Sequence, residues 1–136
     1  AGKKVVTVRG GTQETNIRAV VPTATVVTFE NTQQAFQALQ QGKGIAYVND
    51  ESSLLADFGK LGSNAKNFTI LPTSIGVESI ALGLRKGEKG LKTVVDATLR
   101  ELETSGAANA LFVKWYGPGT RPNIAKRAFT IHTDKL

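Results

Sequence analysis

Residues 3–29 read KKVVTVRGGTQETNIRAVVPTATVVTF, and this stretch decides the fold. Lys3 and Lys4 lead into Val5-Val6-Thr7-Val8, a short β-branched run closed by Gly10-Gly11, which reads as a buried strand. From Thr12 the apolar residues Ile17, Val20 and Val21 recur at helical spacing. Thr12 stands at the expected N-cap, and Glu14 lies in the first turn, where the helix dipole favours an acid. Pro22 ends the helix, and Thr25 to Phe29 reads as a second strand. A strand, a helix and a strand joined by short connections imply a parallel pair, because parallel neighbours need a crossover.

Working outward, Asn31-Thr32 opens a Gln-rich helix in which Ala35, Phe36 and Leu39 share a face and Gly42 marks the end. Ile45 to Val48 forms a third short strand, followed by Asn49-Asp50-Glu51 and a helix carrying Leu54, Leu55 and Phe58. Phe68 to Leu71 and Ile80 to Leu84 are expected as further strands, the second interrupted by Gly83. After Leu84 the pattern changes. Leu91, Val94, Val95, Leu99 and Leu102 recur at helical spacing, Gly106 breaks the run, and Ala107 to Tyr116 reads as a second helix bearing Leu111, Phe112 and Trp115. Gly117 to Pro122 reads as an irregular turn, and Ala128 to His132 as one more extended segment. The expected class is α/β, a mostly parallel sheet with helices on both faces followed by two C-terminal helices.

Composition narrows the function. The chain has 136 residues, 40% hydrophobic and 21% charged, which suits one ordinary globular domain. A chain of this length buries roughly 70% of the surface its unfolded form exposes, so it folds without a staple. It has no Cys, which excludes disulfide scaffolds and thiolate metal sites. It also has no Met and opens Ala1-Gly2, which reads as a processed or excised piece. Seventeen Lys and Arg against eleven Asp and Glu give +6, a charge that admits an anionic partner. The basic residues are scattered without interleaved aromatics, so no nucleic-acid groove is expected. No GxxxxGK[ST], GxSxG or HExxH pattern is present, and the sole His132 cannot form a His pair for zinc. The acidic pairs Asp50/Glu51 and Glu101/Glu103 do not set up facing carboxylates. No catalytic set, metal site or cofactor is expected.

What remains lies at one rim of the expected sheet. Loops that follow parallel strands gather at one edge, where ligands commonly bind. The loop Arg9-Gly-Gly-Thr-Gln-Glu14 lets backbone approach closely and leads into a helix whose first N–H groups and positive dipole end face that edge. It is an anion seat for a carboxylate or phosphate, with Thr12 adding a hydroxyl and Gln13 an amide, or it is an ordinary tight turn. Arg9 either flanks the seat or faces solvent. In Val48-Asn-Asp-Glu51, Asp50 is a cation seat for an ammonium, or it caps the following helix. An anion seat beside a cation seat suits a zwitterion, which describes a free amino acid.

The order Gly2-Lys-Lys-Val-Val-Thr-Val, Gly-Gly-Thr-Gln-Glu14, Ala46-Tyr-Val-Asn-Asp-Glu51, Leu84-Arg-Lys-Gly87, then Leu102 through Ser105-Gly106 to Lys114-Trp-Tyr116, resembles the C-terminal half of polar amino-acid solute-binding proteins of ABC importers. These are bilobed, periplasmic-binding-protein-like proteins, and the tail from Gly117 is similar to that of glutamate/aspartate-type members. The resemblance implies that residues 1–86 are the second ligand-binding lobe and that residues 87–136 are helices and a tail that pack on a first lobe absent from this chain. It implies that Thr12 binds the ligand α-carboxylate, that Asp50 takes the α-ammonium, and that Gln13 lies at the site. Arg9 and Thr32 fall where side-chain-selective contacts occur, and Gly11 stands where the family usually has Ser or Thr. The implied partners are an amino acid and an ABC permease, in the periplasm or at the cell surface, with self-association through the C-terminal helices in the absence of the first lobe. Ligand binding by this piece alone is expected to be weak. Two further outputs belong to the same architecture: an amino-acid-sensing lobe of a receptor or sensor kinase, and a cyclohexadienyl-dehydratase-like enzyme, for which only Glu51 or Glu78 offers a spare acid.

Overall fold

Lys4–Val8 forms β1, the central strand of a three-stranded parallel sheet. The structure, a computed structural model, describes residues 2–133. Along the chain β1 is followed by α1 (Thr12–Val20), β2 (Thr25–Phe29), α2 (Thr32–Gln40), β3 (Ala46–Tyr47) and α3 (Glu51–Phe58), then a 3-10 turn over Gly62–Asn67. β1 pairs with β2 from Lys4 opposite Thr25 to Val8 opposite Phe29, and with β3 through Val5 opposite Ala46 and Val6 opposite Tyr47. The crossover to β2 and the return to β3 run in opposite directions across the sheet. Right-handed connections therefore place α1 and α2 on opposite faces.

The core follows from that sandwich. Val6 and Thr7 are fully buried, and Val5, Ile17 of α1 and Ala35 and Ala38 of α2 close around them. The small side chains of Ala35 and Ala38 let α2 lie close on the strands, while Phe36 and Leu39 of the expected apolar face are only partly covered. Thr7 has no apolar reason to be interior. Its hydroxyl donates to the Val48 carbonyl at 3.0 Å, which satisfies the buried group and ties the chain leaving β3 to the central strand.

A second compact unit begins at Glu78, the first ending at Val77. Its helices are α4 (Lys89–Thr104) and α5 (Ala107–Tyr116), joined through Gly106, whose φ of +81° is the left-handed conformation that only glycine adopts without cost. Phe112 of α5 is buried and meets Phe129 of the tail edge-on, with ring centroids 6.3 Å apart. Within this unit Leu82 lines an apolar hollow with Val94, Val95, Leu99 and Leu102 of α4.

Four expectations are corrected. Phe68–Leu71 and Ile80–Leu84 form no strand, and neither does Ala128–His132. Apolar runs of that length look like strands whether or not a neighbouring edge is present to pair with. Gly11, rather than Thr12, is the N-cap of α1, and Thr12 is its first helical residue.

Candidate functional site

The loops that follow β1 and β3 leave the same end of neighbouring parallel strands, and the structure brings them into contact. Gln13 Nε2 donates to Asp50 Oδ1 at 2.8 Å. On the first loop, Gly10 turns the chain with φ of +72°, and Gly11 is extended, its carbonyl accepting from the Glu14 N–H at 3.1 Å to start α1. Thr12 is exposed at the helix start, where backbone N–H groups point out of the end of the helix. The Glu14 carboxylate reaches back to the Gly10 N–H at 2.9 Å and is held by Arg18 at 2.7 Å. The Gly10 N–H first, and then Arg18, keep the Glu14 carboxyl below its usual range.

On the second loop, Asp50 is the N-cap of α3 but makes no capping bond with its side chain, and its carboxylate is exposed at the rim. Asn49 orients it. The Asn49 Oδ1 accepts from the Asp50 N–H at 2.9 Å, and its amide donates to the Tyr47 hydroxyl at 2.5 Å. Tyr47 is half-buried beside Phe36, and burial pushes its hydroxyl up to about 12, so it is a neutral anchor. The bracing role of Asn49 was not among the sequence expectations. The signal available in the sequence was Asn immediately before Asp at a loop, a position from which its side chain bonds nearby backbone.

The remaining expected site residues go elsewhere. Arg9 is exposed and pairs with Glu30 at 2.5 Å, beyond the end of β2. Thr32 begins α2 and lines an open groove of about 640 Å³ with Gln33, Phe36, Gln37, Asp57 and Lys60. Among the described residues no hydrogen bond joins either residue to the Gln13–Asp50 pair. Gly11 lies directly beside that pair: a Cβ there would sit 2.6 Å from Gln13 Oε1. Among the described residues no group of three or more His, Cys, Asp or Glu is placed to hold a metal.

The chain is 32% identical over 114 residues to the ABC transporter glutamine-binding protein of Bacillus subtilis, a match covering 84% of this chain and 40% of that protein. It is 25% identical over 119 residues to the L-glutamate/L-aspartate-binding protein of Pseudomonas aeruginosa, covering 85% of this chain and 39% of that one. The chain is a relative of the amino-acid solute-binding proteins of ABC importers. It spans less than half the length of the curated relatives it matches. Among solved structures it is similar to an ancestral amino acid-binding protein, a precursor of cyclohexadienyl dehydratase. That match has a TM-score of 0.62 and 26% identity, and covers 85% of this chain and 47% of the other. No protein-family model matches the chain. The fold shared with this binding protein is the periplasmic amino acid-binding architecture, of which the parallel sheet β2-β1-β3 is the recognisable part.

Proposed function

We propose that the chain is the ligand-binding part of an extracytoplasmic solute-binding protein that captures a polar amino acid for ABC-type import. The observation that carries this is the contact of Gln13 with Asp50 across the rim, which supports one small site built from both loops. Thr12 and the N–H groups at the start of α1 receive the ligand carboxylate, and Asp50 receives the ammonium, as a charge-assisted pair. Gly11 and Gln13 border the same space. Arg9 is engaged by Glu30 and Thr32 lines a groove, so they are assigned no ligand contact.

The relatives are named as binding proteins, which supports capture rather than turnover, and we assign no reaction to this chain. The implied partners are the amino acid and a membrane permease, and the implied location is the periplasm or cell surface. Among the described residues no helix is long and apolar enough to cross a membrane. The first unit is the ligand-binding lobe of this reading, and α4, α5 and the tail are its C-terminal helices. Leu91, Val94, Leu111 and Trp115 are exposed on those helices, which supports their pairing with a second copy.

Titration of the 15N-labelled chain with a panel of L-amino acids tests the site. Addition of a polar amino acid is expected to move the backbone signals of Thr12, Gln13 and Asp50 together, at millimolar concentrations because one lobe supplies only part of the contacts. Asp50→Asn is expected to abolish the response. An Asp50→Asn chain that responds like the wild type overturns the assignment of the ammonium seat.

A further inference from the structure

Gly11, Gln13 and Asp50 are related in a way that amino-acid capture does not itself require. Gln13 Nε2 donates to Asp50 Oδ1 at 2.8 Å, while Gln13 Oε1 lies 2.6 Å from where a Cβ at position 11 would stand. Carbon and oxygen atoms do not approach so closely without one of them moving. The tip of the Gln13 side chain therefore occupies part of the volume that a side chain at position 11 would fill, and a Cβ there would push the amide aside from the place where it bonds Asp50. Among the described residues Gln13 is the one hydrogen-bond donor to the Asp50 carboxylate. An amide N–H on a carboxylate makes the same directional bond as an ammonium N–H, without the charge.

We propose that Gln13 is a displaceable placeholder for the ligand: in the empty site its amide occupies Asp50, Gly11 provides the room for it, and an incoming ammonium takes Asp50 in its stead. This rests on the reading of Asp50 as the ammonium seat. The exchange runs toward the ligand, because an ammonium brings a full positive charge to the Asp50 carboxylate and the Gln13 amide brings none. The displaced bond still lowers the apparent affinity by roughly two- to tenfold. A carboxylate ligand without an ammonium has no bond to offer Asp50 in exchange for the one Gln13 already makes, so the placeholder favours amino acids over their deaminated analogues.

The test uses the full chain as wild type, Gly11→Ala, Gln13→Ala and Asp50→Ala. Without ligand, the side-chain amide signals of Gln13 are expected to move in both Gly11→Ala and Asp50→Ala, because the first pushes the amide aside and the second removes its acceptor. With L-glutamine, L-glutamate and L-aspartate as probes, Gly11→Ala and Gln13→Ala are each expected to bind roughly two- to tenfold more tightly than wild type. Amide signals of Gln13 that ignore Asp50→Ala overturn the placeholder. So does amino-acid binding that weakens in Gln13→Ala, which would make Gln13 a plain ligand contact and leave the capture reading intact. Silence of Thr12 and Asp50 toward every probe in all variants, Gln13→Ala included, overturns capture and placeholder together.

Discussion

At the scale of single residues, helix starts in this chain are made by different chemistry at different sites. Asn31 caps α2 directly, its Oδ1 accepting from the Gln34 N–H at 3.0 Å. Asn31→Ala is expected to cost about 1 kcal/mol of stability, measured by urea unfolding of the first unit. That cap was legible, because Asn before a helical apolar pattern has one common use. The start of α1 was less so. Thr12 is a good capping residue by type, but the cap must be extended, and the Gly10-Gly11 turn places that conformation at Gly11. Glu14 then reaches back to Gly10 in place of a cap hydroxyl. Asp50 illustrates the same limit: its residue type left open a cap or a cation seat, and the exposed carboxylate with no capping bond is a feature of geometry.

At the scale of elements, one carboxylate gathers several of the contacts of the tail after α5. Glu103 near the end of α4 accepts both guanidinium nitrogens of Arg127, one of them at 2.7 Å, and also the Ile131 N–H at 3.0 Å. Arg127 lies over the ring of Phe129, which meets Phe112 of α5, so the ion pair and the aromatic contact fix the same turn of chain. Arg127 first, then the Ile131 N–H, holds the Glu103 carboxyl down to about 2. A carboxyl depressed in the folded state stabilises it above the ordinary carboxylate range near 4.5, and that contribution fades as pH falls from there toward about 2. The tail is therefore expected to loosen between those values, seen as loss of the Phe129 ring-current shifts in NMR. Glu103→Gln is expected to remove most of that pH dependence and leave the tail loosened at neutral pH. An unchanged acid profile in this variant would assign the tail's attachment to Phe129 alone. Nothing in the sequence announced this clasp. Glu103 and Arg127 are separated by 24 positions, and a pair formed by tertiary folding has no spacing rule.

At the scale of the whole molecule, the readable part was the part built from local pattern. The β-branched runs Val5–Val8 and Thr25–Phe29, and the helices between and after them, are visible because burial on both faces demands apolar strands and a crossover demands a helix. The adjacency of β1 and β3, which brings Gln13 to Asp50, is a property of strand order, and short runs of Val and Ile carry no record of their neighbours. The same reasoning explains the apolar stretch from Phe68 to Leu84. It has the composition of strands but no paired edge, and Leu71, Val77, Ile80 and Leu82 are left more than half exposed. Exposed backbone without ladder or helical bonds is where proteases enter, since cleavage needs an extended segment that reaches the active site of the enzyme. Thermolysin, which cuts before large apolar residues, is expected to cleave first between Leu71 and Leu84, where Val77 and Ile80 are almost fully exposed. Mass spectrometry of a short digest should then find an N-terminal piece ending near the boundary at Val77 and its C-terminal complement. A first cut inside α2 or α4 would mean that those helices open more readily than the segment between the units, and would overturn a division at that point.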